Sequence, residues 1–120
     1  MQITSYKELI VWQKSYSLTK KIYQITENFP KKEDFSLTSQ MRRVSLSIPS
    51  NIAEGYRRGH RKEFIQFLHI AFSSASELEV QLLLSKDVGY LEEQNYTECL
   101  LLLEEVLKML NVMLKKMKSV

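Results

Sequence analysis

The feature that most constrains this chain is the scarcity of its breaks. Only 3 Gly and 2 Pro interrupt 120 residues. Between them, apolar residues recur at steps of three and four, the period that lays side chains along one face of an α-helix. A sandwich or barrel needs turn residues every ~8–12 positions, and the chain does not carry them. Pro30, the pair Gly55 and Gly59, and Gly89 divide it into four stretches of helical length with short joints.

The first stretch runs from about Tyr6 to Asn28. Val11, Leu18, Ile22, Ile25 and Phe29 form its stripe, widened by Leu9, Trp12, Tyr16 and Tyr23. Pro30 disfavours helix at the residue before it, so this helix stops by Phe29. The second stretch runs from about Leu37 to Arg58, with Ser36 or Asp34 as N-cap. Its stripe is Leu37, Met41, Val44, Ile48 and Ile52. Pro49 lies inside it and removes the amide that would bond to the Ser45 carbonyl. Because the apolar period continues past it, a kink is expected rather than an end. Gly59 suits a left-handed C-terminal position.

The third stretch, about Arg61 to Val88, carries Phe64, Leu68, Ala71, Ala75, Leu78 and Leu82. His60 and Glu63 make a poor capping box. The fourth, about Glu92 to Lys118, carries Tyr96, Leu100, Leu103, Leu107, Leu110, Leu114 and Met117. Acidic residues in its first turn and lysines in its last complement the helix dipole. The expected fold is all-α: one domain over residues 1–120, an antiparallel up-down-up-down four-helix bundle with its second helix kinked at Pro49.

The chain has more apolar surface than one core needs. Ile65, Phe72, Val80, Leu83 and Leu84 lie off the third stripe, and Leu101, Leu102, Met109 and Val112 off the fourth. A wide stripe around a single core is one reading. A subunit interface is the preferred one, since a helix with two apolar faces buries both.

Composition narrows the function. With 44% hydrophobic and 26% charged residues the chain has a soluble globular balance. The single Cys99 excludes an internal disulfide and a cysteine zinc site. No apolar run approaches the ~20 residues of a membrane span. Met1-Gln2-Ile3-Thr4-Ser5-Tyr6 lacks the pattern of a signal peptide, so a cytoplasmic protein without a membrane partner is expected. Neither His60 nor His69 follows a Glu by three residues, the spacing a di-iron bundle uses. Glycine-rich phosphate loops and nucleophile sets are absent too. No metal, no cofactor and no enzymatic activity are expected.

The basic residues remain. Every arginine falls between positions 42 and 61, and Arg57, Arg58, Arg61 and Lys62 crowd the joint of the second and third helices. Lys108, Lys115, Lys116 and Lys118 close the C-terminus. An antiparallel bundle brings both groups to one end. Arginine's planar fork suits phosphate, and Tyr56 is placed to stack on a base. The alternative is a solvated helix end, with Glu54 and Glu63 neutralising part of the charge.

One stretch is more specific. Gln40-Met41-Arg42-Arg43, followed by Ser47-Ile48-Pro49-Ser50-Asn51-Ile52-Ala53-Glu54-Gly55, resembles the signature of the bacterial 23S rRNA intervening-sequence protein family. Val11-Trp12-Gln13, Ile22-Tyr23 and Phe29-Pro30 match its early pattern. Glu63-Phe64, Phe67-Leu68, Glu77-Leu78, Gln81-Leu82 and Gly89-Tyr90-Leu91 match its later half. Ser36 stands where Gly is common and His60 where Ser or Thr is common. The resemblance implies antiparallel bundles assembled into pentameric rings, and no catalysis. It also implies a relation to the accessory variability protein of diversity-generating retroelements, a basic pentamer associated with reverse transcriptase and nucleic acid. Carried over by position, the motif residues are Arg42, Arg43, Asn51, Glu54 and Gly55. A structural role is favoured for them: Arg43 or Glu54 in an ion pair between helices or subunits, Asn51 bonding across Pro49, and Gly55 allowing close helix approach.

The expected function is a non-catalytic, RNA- or DNA-binding or ribosome-associated homo-oligomer, a pentamer by resemblance. Its phosphate contacts are Arg57, Arg58, Arg61 and Lys62, supported by Lys115, Lys116 and Lys118. The net charge of +3 is small for one chain, but five copies give about +15. The alternative is a scaffold whose partner is another protein, with no direct contact to nucleic acid.

Overall fold

The computed structural model describes residues 4–119. After a 3₁₀ turn at Tyr6–Glu8 come four helices: α1 Ile10–Thr26, α2 Leu37–Arg57, α3 Arg61–Asp87 and α4 Glu93–Lys118. A second 3₁₀ turn, Lys31–Glu33, lies in the α1–α2 connection. The described residues contain no strand. The helices pack in a ring, each against the next, and α4 closes on α1. Their contacts run in opposite senses. Lys14 pairs with Glu105 and Lys21 with Glu98 across α1 and α4. Gly55 meets Phe64 and Phe67, whereas Met41 meets Ser85, across α2 and α3. The body measures 45 × 23 × 23 Å.

The four stripes meet at the centre. Leu18, Ile22, Met41, Ile48, Ile52, Leu68, Leu78, Leu82, Leu103 and Leu110 are fully enclosed. Each such side chain contributes about 1.5–3 kcal/mol relative to exposure. The off-stripe residues divide. Ile65, Phe72, Leu102 and Met109 pack against the core. Val80, Leu83, Leu84, Leu101 and Val112 stay exposed. Gly55 sets the closest approach: a Cβ there would lie 2.7 Å from the Phe67 Cβ and 2.9 Å from the Phe64 Cδ1.

Pro49 does not break α2. The Ser45 carbonyl that it leaves without an amide accepts from the Thr19 hydroxyl of α1 at 2.8 Å, in a buried contact. A neighbouring polar chain ties α2 to α3. Asn51 Nδ2 donates to the Ser47 carbonyl at 2.7 Å and to Ser47 Oγ at 3.0 Å, and Ser47 Oγ lies 2.9 Å from Ser74 Oγ.

The helix ends differ from the sequence expectation in two places. The first helix starts at Ile10, not Tyr6, because Leu9 is extended and serves as its N-cap. The preceding turn is capped by Ser5 Oγ, which accepts from the Lys7 amide, and this folds Tyr6 back against Trp12. At the start of α2, Ser36 holds the N-cap position without capping it. Its hydroxyl donates to Glu33 Oε1 at 2.6 Å, and the Leu37 amide donates to the same oxygen at 3.4 Å. The carboxylate does the capping, helped by Tyr90, whose hydroxyl donates to Glu33 Oε2 at 2.9 Å. At the end of α3, Gly89 takes a positive φ of 85° and lets the Tyr90 and Leu91 amides return to the Ser85 carbonyl.

Two outcomes follow from these polar contacts. Thr19→Val orphans the Ser45 carbonyl and costs about 1–3 kcal/mol in urea unfolding. The loss shrinks when Pro49→Ala returns the amide, so the double-mutant cycle shows coupling. The hydrogen bond from Ser36, then that from Tyr90, holds the Glu33 carboxyl below its ordinary 4.5. A carboxyl lowered on folding stabilises above its unfolded pKa and loses that effect as the pH falls through the folded value. The melting-temperature advantage of wild type over Glu33→Gln is therefore full at pH 7 and fades as the pH falls below that ordinary value.

Candidate nucleic-acid interface

The expected basic residues gather at the bundle end formed by the α2–α3 joint, the start of α1 and the end of α4. Arg61 makes the connection: its guanidinium donates to the Met117 carbonyl in the last turn of α4. That carbonyl belongs to the unsatisfied end of a helix, so a cation there is favoured by both hydrogen bonding and the dipole. Lys115, Lys116 and Lys118 belong to that same last turn and are exposed; Lys115 and Lys118 border a groove with His69 and Phe72 of α3.

The cluster is not uniform. Arg58 is held by Glu54 at 2.9 Å and by Glu63 at 3.6 Å, and lies over the Phe67 ring. Arg61 is engaged at the end of α4. Arg57 turns the other way, with its guanidinium 5.0 Å from the Tyr6 ring centroid. Lys62 is exposed, and no ion pair holds it among the described residues. The available cations are thus Lys62 and the α4 lysines, with Arg57 at the corner. Tyr56 is half-buried and meets Phe64 edge-on at 6.2 Å, so it faces its own core rather than a ligand.

Two other features were candidates for chemistry. Cys99 is enclosed in the core, and burial pushes its thiol up to about 11, so it stays protonated at neutral pH. Among the described residues no group of three His, Cys, Asp or Glu side chains is placed to hold a metal ion. No helix is long and apolar enough to cross a membrane. A groove of about 650 Å³ lies between the start of α1 and the later turns of α4. Leu9, Ile10, Met109, Val112 and Met113 line it, with Glu8 and Lys108 among them.

Residues 7–112 match the family model described as 23S rRNA-intervening sequence protein. The chain belongs to this family. A crystal structure from Bacteroides thetaiotaomicron is similar to this 23S rRNA-intervening sequence family member over 88% of its length and 99% of that chain. It shares 28% identity with a TM-score of 0.80, and is described as a protein of unknown function from the S23 ribosomal protein family. No curated protein matches.

The motif residues of this intervening-sequence family member sit on α2, and most of them meet protein. Arg42 reaches α1: Nε donates to Thr26 Oγ1 at 2.9 Å, Nη2 to the Tyr23 carbonyl at 3.3 Å, and the guanidinium lies over the Tyr23 ring. Asn51 bonds to Ser47 within α2, spanning Pro49, and Gly55 makes the close α2–α3 contact given above. Among the described residues of one subunit, neither Arg43 nor Glu54 forms the expected ion pair to another helix. Glu54 binds Arg58 within α2, and Arg58 continues to Glu63 of α3, because both carboxylates reach the same guanidinium at the joint. Arg43 is exposed.

Proposed function

We propose that this chain is a non-catalytic, self-associating helical bundle that binds RNA, in the manner of a ribosome-associated accessory protein, through its basic end. The observation that carries the reading is the hook from Arg61 to the end of α4. That contact supports reading the exposed Lys115, Lys116 and Lys118 of the last turn of α4 together with exposed Lys62 as one basic end. Membership of a family described by an rRNA intervening sequence supports RNA over other polyanions. The end is sequence-neutral chemistry: ammonium groups position a backbone and release counterions without reading bases.

Self-association is part of the proposal, as a pentamer. Exposed Ile10 and Val112 line the α1–α4 groove, Leu101 is exposed elsewhere on α4, and Val80, Leu83, Leu84 and Val88 lie exposed on α3 and at its C-cap. Two apolar surfaces on different sides of one subunit suit a head-to-tail ring. Repetition around the ring turns weak sites into a useful total. The same groove favours a second reading, a scaffold that holds another protein.

The test is RNA binding across a salt series with Lys62, Lys115, Lys116 and Lys118 all changed to Glu. Wild type loses affinity steeply with salt. The variant binds at least about tenfold more weakly, with a slope shallower by about 0.7–0.9 for each phosphate contact removed. Light scattering reports both proteins as the same oligomer. Absence of RNA binding even at low salt contradicts the reading and selects the scaffold.

A further inference from the structure

Aromatic rings form a ladder along the outer seam of α1 and α2. Tyr6 meets Trp12 edge-on with centroids 5.1 Å apart, and Trp12 stacks on Tyr16 at 5.0 Å with planes 9° apart. Cations sit at both ends: Arg57 is 5.0 Å from the Tyr6 centroid and Lys20 5.1 Å from that of Tyr16. Further along α1, Arg42 lies 4.8 Å from the Tyr23 centroid. Facing the rings, α2 presents Leu46, Pro49 and Ala53 across a groove of about 190 Å³. An apolar cavity of about 150 Å³ takes up a six-membered aromatic ring. Tyr16 and Tyr23 remain 43% and 42% exposed.

Charge selects the occupant. Lys20, Arg42 and Arg57 lie over the rings of this face, and among the described residues the ion pair on it is the loose contact from Arg42 to Glu27 at 3.9 Å. Among the described residues Lys20 and Arg57 have no carboxylate partner. An apolar protein helix laid here strips water from these cations and returns nothing. A nucleic-acid strand offers phosphates to the cations and flat bases to the rings. A duplex keeps its bases stacked inside, so the strand is unpaired.

We propose that the α1–α2 seam is a base-stacking track for single-stranded RNA. A base enters the groove beside Trp12 and Tyr16, and Lys20 and Arg57 hold the flanking phosphates. The inference rests on the RNA reading above and adds to it the form of RNA and the path. Arg57 belongs both to the basic end and to the first rung, so a strand held at the lysines continues onto the rings.

Trp12 is the chain's one tryptophan, and its emission reports directly on stacking. The test titrates the full chain with a short labelled oligouridylate and with an RNA duplex of equal length, reading label anisotropy and Trp12 emission together. The oligouridylate quenches Trp12 and the duplex does not. Tyr16→Ala weakens oligouridylate binding roughly tenfold, within the range for loss of one base–aromatic stack, and leaves duplex binding unchanged. Tyr16→Phe keeps both the affinity and the quench, which separates stacking from loss of the hydroxyl. Circular dichroism confirms that the variants are folded. Oligouridylate binding with unchanged Trp12 emission and no effect of Tyr16→Ala overturns the track and leaves the basic end standing. Binding of neither RNA at low salt overturns both.

Discussion

The register of α1 against α2 is the constraint on which the rest of the molecule depends. Two buried or half-buried polar contacts fix it: the Thr19 hydroxyl on the carbonyl that Pro49 leaves free, and Arg42 on Thr26 and the Tyr23 carbonyl. Apolar stripes alone tolerate a slip of one turn, because a Leu exchanges for an Ile at little cost. A buried carbonyl does not tolerate the loss of its only cross-helix donor. Pro49 therefore acts as a registration device. It removes a donor from α2 and makes α2 depend on one residue of α1. With that register set, Pro49 and Ala53 fall opposite Trp12 and Tyr16, and Arg57 falls over Tyr6.

The α2–α3 pair is fixed differently, by closeness. Gly55 admits Phe64 and Phe67 against the helix backbone, and the Ser47–Ser74 contact adds a polar tie further along. Tight packing near the joint leaves the charged residues only the outside. Arg58 then bridges Glu54 and Glu63, and Arg61 reaches the end of α4. One of the cations at the joint, Arg61, thereby also ties it to the last turn of α4.

The stripes were legible in the sequence because core packing repeats every three or four residues and needs no partner to be recognised. Pro49's missing amide was legible too, but not Thr19 as its remedy, since that donor lies far along the chain on another helix. Ser36 was a sound cap by residue type, yet Glu33 reaches the first amide of the helix with a charged oxygen and recruits Ser36 as a donor. The arginine cluster was legible as charge but not in its internal pairing. Its sequence does not show that Arg61 has a helix-end carbonyl to satisfy or that two carboxylates converge on Arg58. Trp12 and Tyr16 looked like the edge of a stripe. Their exposure depends on how small and flat α2 is opposite them, which only the register reveals.

The account joins these parts in one claim, that RNA lies along the α1–α2 seam from the basic end. The most direct measurement is photo-crosslinking of a thiouridine-substituted single strand to the intact protein, with adducts mapped by mass spectrometry. The account predicts adducts at Trp12, Tyr16 and neighbouring positions of α2 such as Leu46 and Ala53. Adducts confined to the α1–α4 groove, at Met109 and Met113, would contradict it and return the aromatic ladder to a purely structural role.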